Sequence, residues 1–184
     1  MRATGGDTEQ IIAMTQRWLE KSVIGLNLCP FAAGPYRGGR VRFFVSAAAD
    51  EEELLQDLSA ELQTLVGADP EKLETTLLIH PHALAKFDEY NQFLEICDAL
   101  VDSLQLEGEV QVASFHPHYQ FADTAPEDIE NFTNRSPYPT LHLLREASVS
   151  RVAEGGDTEE IYLRNIRTLR GLGHEGWLRL WREQ

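Results

Sequence analysis

The spacing of apolar residues divides the chain into helical segments and short strand-like runs. A first helix is predicted from about Asp7 to near Cys29, because the residue before Pro30 disfavours helical backbone. Apolar stripes at helical spacing predict further helices from Asp50 and over about 85–104, and two more near the C-terminus. Apolar, β-branched runs predict four strands, at 40–47, 75–79, 109–115 and 140–145.

These elements follow one another in the order α-β-α-β-α-β-loop-β-α-α. Strands that alternate with helices are typical of right-handed crossovers and a partly parallel sheet. No linker or low-complexity segment interrupts the chain, so residues 1–184 are predicted to form a single layered α/β domain. Its mixed sheet would have about four strands, with helices packed on it. A ferredoxin-like α+β arrangement is the alternative.

Glycine-rich segments mark three boundaries in this pattern. Residues 5–10 (GGDTEQ) and 155–160 (GGDTEE) both indicate a helix start, because the aspartate can cap the first turn. The residue three positions further on can complete a capping box. Residues 34–39 (GPYRGG) are predicted to be a loop.

The connection from Pro117 to Pro139 is long for a domain of this kind. Loops beyond about 12–15 residues are usually functional or disordered. This one carries several aromatic residues that can pack, and a short helix is predicted at 126–131. A long ordered loop is a frequent location of functional residues.

Charge and composition narrow the possible partners. The chain has 16 basic and 30 acidic residues, a formal charge of −14, which repels phosphate backbones and argues against nucleic acid. No apolar run approaches the roughly 20 residues of a membrane helix. No secretory signal is visible, and two cysteines are too few for a disulfide framework. A cytoplasmic protein without membrane association is expected.

Histidines cluster where predicted strands end. His80-Pro81-His82 follows the second strand, and His116-Pro117-His118 follows the third. If those strands are parallel neighbours, both segments leave the sheet at its carboxyl edge, where open α/β sheets bind ligands. An antiparallel fourth strand would bring Asn134, Arg135 and His142 to the same edge. The predicted site is therefore a shared pocket of imidazoles and a guanidinium.

The paired histidines raise the possibility of a metal site. Histidines two apart in extended chain point the same way, and Asp123 could add a carboxylate to His80, His116 and His118. Such a site would hold a divalent metal, Zn, Mn or Fe. The alternative is structural: His-Pro turns whose imidazoles hydrogen-bond to backbone.

The segment from Asn134 to Ser136 suggests recognition of an anion. Arginine offers a bidentate fork to carboxylate or phosphate, and a serine hydroxyl adds a donor. Ser136, His142 and Tyr119 are predicted ligand-binding residues, and the expected partner is a small anionic molecule. The alternative is a rigid turn in which Arg135 pairs with a surface acid.

The cysteines and several familiar motifs offer no further chemistry. Cys29 lies at the predicted carboxyl end of a helix, which raises a thiol pKa, so a packing role is expected for it. Cys97 belongs to the apolar stripe of the third helix. The phosphate-binding G-x-x-x-x-G-K-[ST], the dinucleotide-binding G-x-G-x-x-G and the G-x-S-x-G motif are all missing.

Four segments of the chain resemble the bacterial family called domain of unknown function 1415. They are residues 26–31 (LNLCPF), 87–94 (FDEYNQFL), 114–121 (SFHPHYQF) and 134–146 (NRSPYPTLHLLRE). The resemblance implies no activity, but it points to the same Phe-His-Pro and Asn-Arg-Ser segments. His82 lies outside the resembling segments.

Two functional hypotheses follow from these residues. In the first, the protein is a hydrolase or phosphoesterase in which His116, with His118 or His80, is a general base or metal ligand, while Asn134 and Arg135 hold an anion. In the second, it is a non-catalytic module that binds a small anionic ligand or a protein partner. The sequence leaves open whether the protein is an enzyme, and also its substrate and oligomeric state.

Overall fold

Four strands form one mixed sheet. In the computed structural model, which describes residues 5–153 and 158–182, they are β1 (Val41–Val45), β2 (Thr75–Ile79), β3 (Val110–Phe115) and β4 (Thr140–Arg145). Their order across the sheet is β1-β2-β4-β3, with β1 parallel to β2 and β4 antiparallel to both of its neighbours. The predicted α/β fold with a four-stranded mixed sheet is confirmed. The second and third strands are parallel but not neighbours, because β4 lies between them.

Helices account for most of the remaining described chain. Their bounds are α1 (Gly5–Trp18), a π-helix (Leu19–Ile24), α2 (Ala33–Arg37), α3 (Glu51–Gly67), α4 (Phe87–Ser103), a 3₁₀ helix (Ile129–Thr133), α5 (Glu146–Ala153) and α6 (Thr158–Arg182). In the predicted loop at 34–39 the chain forms the short helix α2, and α5 follows β4 directly where no helix was predicted. Of the second predicted capping segment, residues 155–157 lie outside the described residues. No helix in the described ranges combines the length and the apolar character needed to cross a bilayer.

The last helix contains a break. Gly173 has φ 64° and ψ 172°, which separates a segment before it from a segment after it. Two helices were predicted in this region, and the break lies between them. A positive φ of this kind is accessible to glycine at little cost.

Helix α3 is fixed at both ends by side chains. At its start the Asp50 carboxylate accepts a hydrogen bond from the Glu53 N–H at 2.9 Å, and the Glu53 carboxylate accepts one from the Ala49 N–H at 3.0 Å. Beyond its last turn, the Arg145 guanidinium donates to the carbonyl oxygens of Leu65 and Ala68 at 2.5 and 2.8 Å. A cation is favourable at the negative end of the helix dipole. Arg145 therefore joins the end of β4 to the end of α3.

The sheet has a helical layer on each face. On one face, α3 and α4 bury leucine and phenylalanine side chains against Leu78, Leu141 and Leu143. On the other face, α1 and the π-helix pack through Trp18, Leu19 and Val23 against the sheet residues Leu77 and Ile79. The alternation of apolar residues along β2 and β4 explains how each strand serves both layers.

The π-helix is a widened turn that continues α1. The N–H of Gly25 bonds to the carbonyl of Glu20 at 2.9 Å, five residues back, and the N–H of Leu28 bonds to Val23 in the same way. A Cβ at position 25 would collide with the backbone carbonyl of Lys21, so glycine suits this position. Turns of this type are rare and are frequently found at functional sites.

Replacing Arg145 tests its role as the cap of α3. Arg145→Met should lower the free energy of unfolding by roughly 2–3 kcal/mol, because the carbonyl oxygens at the end of α3 lose a charged donor. Urea denaturation followed by circular dichroism measures this change. The matched control is Arg179→Met at an exposed position of α6, which should change stability by less than about 0.5 kcal/mol. Equal stability of the two variants would contradict the capping role.

Candidate functional site

The carboxyl edge of the sheet brings together the segments that were predicted to converge. The N–H of His80 bonds to the carbonyl of Pro139 at 3.0 Å, and the N–H of His116 bonds to that of Asn134 at 3.1 Å. Both His-Pro segments therefore leave the sheet beside the chain that leads into β4. The two segments do not follow neighbouring strands, since β4 lies between β2 and β3, and His142 lies in the middle of β4 and not at this edge.

Tyr90 of α4 fills this edge from one side. Its buried hydroxyl donates to the carbonyl of Thr140 at 2.9 Å and accepts from the N–H of Phe115 at 3.0 Å. Its ring lies 5.7 Å from the His80 ring and 5.0 Å from the His116 ring. Burial raises the pKa of the Tyr90 hydroxyl well above its usual range. The tyrosine is thus a protonated link between α4, the end of β3 and the start of β4.

The imidazoles of His80 and His116 are buried and held by backbone groups. His116 donates from Nε2 to the carbonyl of Leu84 at 3.2 Å, and its Nδ1 accepts from the N–H of His118 at 3.0 Å. His80 donates from Nδ1 to the carbonyl of Ala83 at 3.0 Å, while its Nε2 has no partner among the described residues. These contacts match the structural alternative considered for the His-Pro turns.

The long connection is ordered by its own polar side chains. Buried Asn131 accepts from the Phe121 N–H at 2.9 Å and donates to the Ala125 carbonyl at 2.7 Å. Asn134 donates to the Ser114 carbonyl at 3.0 Å, and Ser136 donates to that of Tyr138 at 2.6 Å. The amides and hydroxyl of this segment therefore hold the loop on the sheet.

Arg135 is also used inside this loop. Its Nε donates to the carbonyl of Tyr119 at 3.2 Å, and a terminal nitrogen donates to that of Pro126. The guanidinium lies over the Phe132 ring at 4.3 Å from the ring centre. The pairing with a surface acid that was considered for Arg135 is replaced by backbone carbonyls and an aromatic face.

The predicted metal ligands do not form a coordination group. Within residues 5–153 and 158–182, no three His, Cys, Asp or Glu side chains lie close enough to hold a metal ion. His118 and Asp123 are exposed, whereas His80 and His116 are buried with ring nitrogens already bonded to backbone. The set of His80, His116, His118 and Asp123 is therefore not assembled in this structure.

A cavity of about 320 Å³ lies on the other side of the sheet, under α1 and the π-helix. Its lining comes from the sheet, the π-helix, the segment before α2, and α5. Apolar side chains form most of the wall, and the polar lining residues are few. The lining includes Trp18, Leu19, Val23, Cys29, Pro30, Phe31, Ala32, Arg40, Val41, Glu74, Thr75, Leu77, Phe115, His142, Leu144, Ser148 and Val149.

His142 is the titratable side chain in the middle of the sheet wall of this cavity. It pairs with Leu77 on one side and Ala113 on the other, in the centre of β4. Its Nε2 lies 2.7 Å from the Thr75 hydroxyl oxygen, and that hydroxyl is 2.7 Å from the carbonyl oxygen of Leu143. His142 thus faces α1, on the face of the sheet opposite to α4.

The groups predicted to share one pocket line different places. His142 lines the cavity under the π-helix, and Arg135 lines a separate groove together with Phe132 and Trp177. Neither lining includes His80 or His116, which pack against Tyr90. Neither of these two spaces thus brings the imidazoles of His80 and His116 together with the Arg135 guanidinium. The catalytic and ligand-binding roles assigned to His116, His118, Asn134, Arg135, Ser136 and Tyr119 stay predictions.

Two polar features complete the cavity. Arg40 and Glu74, at the starts of β1 and β2, form an ion pair, so the charges at this end of the wall compensate each other. Burial raises the pKa of the Cys29 thiol, and so this cysteine is held in its neutral form. Both observations describe a wall without a net charge.

The cavity was not predicted from the sequence, because the predicted site lay at the carboxyl edge of the sheet. The sheet residues of the lining come largely from the starts of β1 and β2 and the end of β4, at the opposite end of the strands. One signal was present in the sequence: Thr75 and His142 are polar residues within two predicted strands. Their facing positions required the order of the strands, which the sequence did not supply.

Comparison with known proteins gives one match. A family model described as "Protein of unknown function (DUF1415)" matches residues 10–179 of this chain of 184 residues. The matched range includes every residue that lines the cavity as well as the whole long connection. No curated protein and no solved structure matches the chain.

Buried His80 and His116, together with half-buried His142, should make the fold sensitive to acid. Burial lowers the pKa of His80, His116 and His142 to about 4 in each case. In the unfolded chain the same rings take up protons near pH 6.5. Their contribution to stability is therefore present above pH 6.5 and is lost as the pH falls from 6.5 towards 4. Each should account for roughly 2 kcal/mol between pH 7 and pH 5.

Urea denaturation at pH 7 and at pH 5 measures this effect. His142→Gln should reduce the difference in unfolding free energy between the two pH values by about a third, since one of the three rings is removed. His82→Gln, at an exposed position, should leave the difference as it is in the wild type. A stability that does not change between pH 7 and pH 5 would contradict the assignment of these rings as neutral in the folded protein.

Proposed function

The chain belongs to the DUF1415 family, and we propose that it binds a small, mainly apolar molecule in the cavity between the sheet and the π-helix. The observation that carries this proposal is the cavity of about 320 Å³ with an apolar wall and one central histidine. Ligand sites in proteins have volumes of about 300–1,000 Å³, with mostly apolar walls and a few placed polar groups. The cavity lies at the small end of that range, which suits a molecule of one or two rings.

The π-helix supports the same proposal. Leu19 and Val23 of this segment contribute to the cavity wall, beside Trp18 at the end of α1. π-turns are rare in proteins and occur frequently at functional sites. In this protein the π-turn widens the helix directly above the cavity. The widened turn and the cavity are therefore interpreted as one feature.

The aromatic part of the wall supports binding of a flat molecule. The rings of Trp18 and Phe115 meet edge to face, with their centres 5.2 Å apart. Phe31 and His142 contribute further flat surfaces to the lining. Aromatic rings favour offset or edge contacts with other rings, each worth about 0.5–1.5 kcal/mol beyond the apolar area buried.

The hydrolase reaction predicted from the carboxyl edge stays a prediction. The side chains that would perform it, His116, Asn134 and Arg135, bond to the protein's own backbone. In the cavity, by contrast, His142 has one ring nitrogen available. Binding in the cavity is therefore the function that the geometry supports best. It resembles the second hypothesis from the sequence, a non-catalytic module that binds a small ligand, but it places the ligand in the cavity and not at the carboxyl edge.

A cavity-filling substitution tests this proposal. Ala32 lines the cavity and has helical backbone angles, φ −70° and ψ −39°, which phenylalanine also adopts. A panel of neutral one-ring and two-ring compounds, including indole, p-cresol and 1-naphthol, is screened by thermal denaturation. Compounds at about ten times their Kd should raise the wild-type Tm by roughly 3–5 °C. The Ala32→Phe variant should lose these shifts, because the new ring occupies the space of the ligand.

The matched control is Ala60→Phe, at an exposed position of α3 on the other face of the sheet. This variant should keep the compound-dependent shifts of the wild type. Circular dichroism of both variants shows that the fold is retained. Wild-type protein that no compound stabilises, or shifts that persist in Ala32→Phe, would contradict binding in this cavity.

A further inference from the structure

We infer that the molecule bound in this cavity carries an uncharged hydrogen-bond donor, a hydroxyl or N–H group, which Nδ1 of His142 accepts. The inference rests on the proposed function, since it names the class of ligand for the same cavity. It replaces the anionic ligand that the sequence suggested. Three observations support it: the tautomer of His142, the access to its Nδ1, and the charge of the wall.

The tautomer of His142 follows from Thr75. A hydroxyl has one proton, and the Thr75 hydroxyl gives it to the Leu143 carbonyl, which can only accept. The Thr75 oxygen is therefore an acceptor towards His142, and Nε2 of the imidazole must be the donor in their contact of 2.7 Å. A neutral imidazole that donates from Nε2 has a lone pair on Nδ1. The protein thus fixes His142 as an acceptor.

Nδ1 of His142 is accessible from the cavity. Among the described residues it has no hydrogen-bond partner, and it does not belong to the unpartnered polar atoms that are sealed from solvent. His142 lies in the centre of the sheet and lines the cavity. The accessible surface of Nδ1 is therefore cavity surface. A ligand that covered this acceptor without offering a donor would leave a buried polar atom unpaired, which costs binding free energy.

The charges around the cavity disfavour an anion. Of the described lining residues, Arg40 is the one lysine or arginine, and it is paired with Glu74. The other titratable lining groups are Cys29, which is neutral, and His142 itself, whose pKa is lowered by burial to about 4. A carboxylate next to neutral His142 would face the lone pair of Nδ1 and be repelled by it. Only a protonated imidazole could donate to the carboxylate from Nδ1, and His142 is neutral at neutral pH. A neutral donor meets neither obstacle.

Three probes with one skeleton separate the classes of ligand. 1-Naphthol has a neutral donor, 1-methylnaphthalene has the same shape without one, and 1-naphthoate carries a negative charge. Their Kd values for the wild-type protein are measured by calorimetry or ligand-observed NMR at pH 6 and pH 8. 1-Naphthol should bind about tenfold more tightly than 1-methylnaphthalene, because one buried hydrogen bond distinguishes them. 1-Naphthoate should bind most weakly at both pH values.

Two variants assign the preference to His142. In His142→Phe, which keeps a ring in the wall, the roughly tenfold preference for 1-naphthol over 1-methylnaphthalene should fall to about one. In Thr75→Val the acceptor state of the imidazole is no longer enforced, so the preference should fall by a smaller factor. His82→Phe, at an exposed position, should keep the wild-type preference. The comparison of probes in the wild type remains decisive even where a variant does not fold.

Several outcomes would overturn the inference while leaving the proposed function in place. These are equal affinities of 1-naphthol and 1-methylnaphthalene, an unchanged preference in His142→Phe, or tightest binding by 1-naphthoate with affinity that increases as the pH falls. Each would show a cavity that binds small molecules without a donor to His142. Failure of all three probes to bind the wild type would instead contradict the proposed function, and the inference with it.

Discussion

The hydroxyl of Tyr90 is the contact on which the carboxyl edge of the sheet depends. It bonds to both β3 and β4, at Phe115 and Thr140, and so joins α4 to the two strands at the place where the long connection leaves and returns. The same ring packs against the two buried imidazoles. In an open α/β sheet this edge is the usual location of a ligand. Here it is filled by the protein's own side chains, and its own backbone supplies most of their hydrogen-bond partners, with Nε2 of His80 as an exception.

The filled edge explains the division of roles among the polar residues. Asn131, Asn134 and Arg135 lie near the usual ligand edge, but their side chains bond to the protein's own backbone. Asn131 and Arg135 bond within the long connection, and Asn134 bonds to the Ser114 carbonyl of β3. The cavity on the other face has the opposite character: a mostly apolar wall, a compensated ion pair and one imidazole whose acceptor is not used by the protein. Polar residues are therefore numerous in the long connection, where they hold the loop in place, and few in the wall of the cavity.

Local features of the fold were predictable from the sequence because they depend on near neighbours. The strands at 75–79 and 140–145 were predicted at the residues where they occur, since short apolar and β-branched runs favour strands. The start of α3 was also predicted, at Asp50, whose carboxylate caps the helix in the structure. Helix α5 was missed because β4 leads into it without a turn residue. The π-helix was missed because its pattern differs from that of an α-helix by one residue.

The candidate site was less predictable because it depends on the order of the strands. His142 was predicted to be a ligand-binding residue, and it was expected beside Arg135 at the carboxyl edge. The insertion of β4 between β2 and β3 instead places it opposite Leu77 and within hydrogen-bond distance of Thr75, in the centre of a face. Hydrophobic period identifies strands and their inward positions, but it does not identify which strand lies next to which. The partner of a polar inward residue therefore becomes visible only in three dimensions.

The π-helix has a consequence for how variation in chain length would act on this fold. A π-turn is equivalent to one extra residue in an α-helix, and each residue of an α-helix turns the chain by about 100°. Loss of a single residue within 19–24 would let this stretch wind regularly and would rotate Trp18 and all of α1 relative to the sheet. The tryptophan would then leave its contact with Phe115. The cavity beneath the helix thus depends on the extra residue in this turn, and a protein of this fold without that residue would not form it.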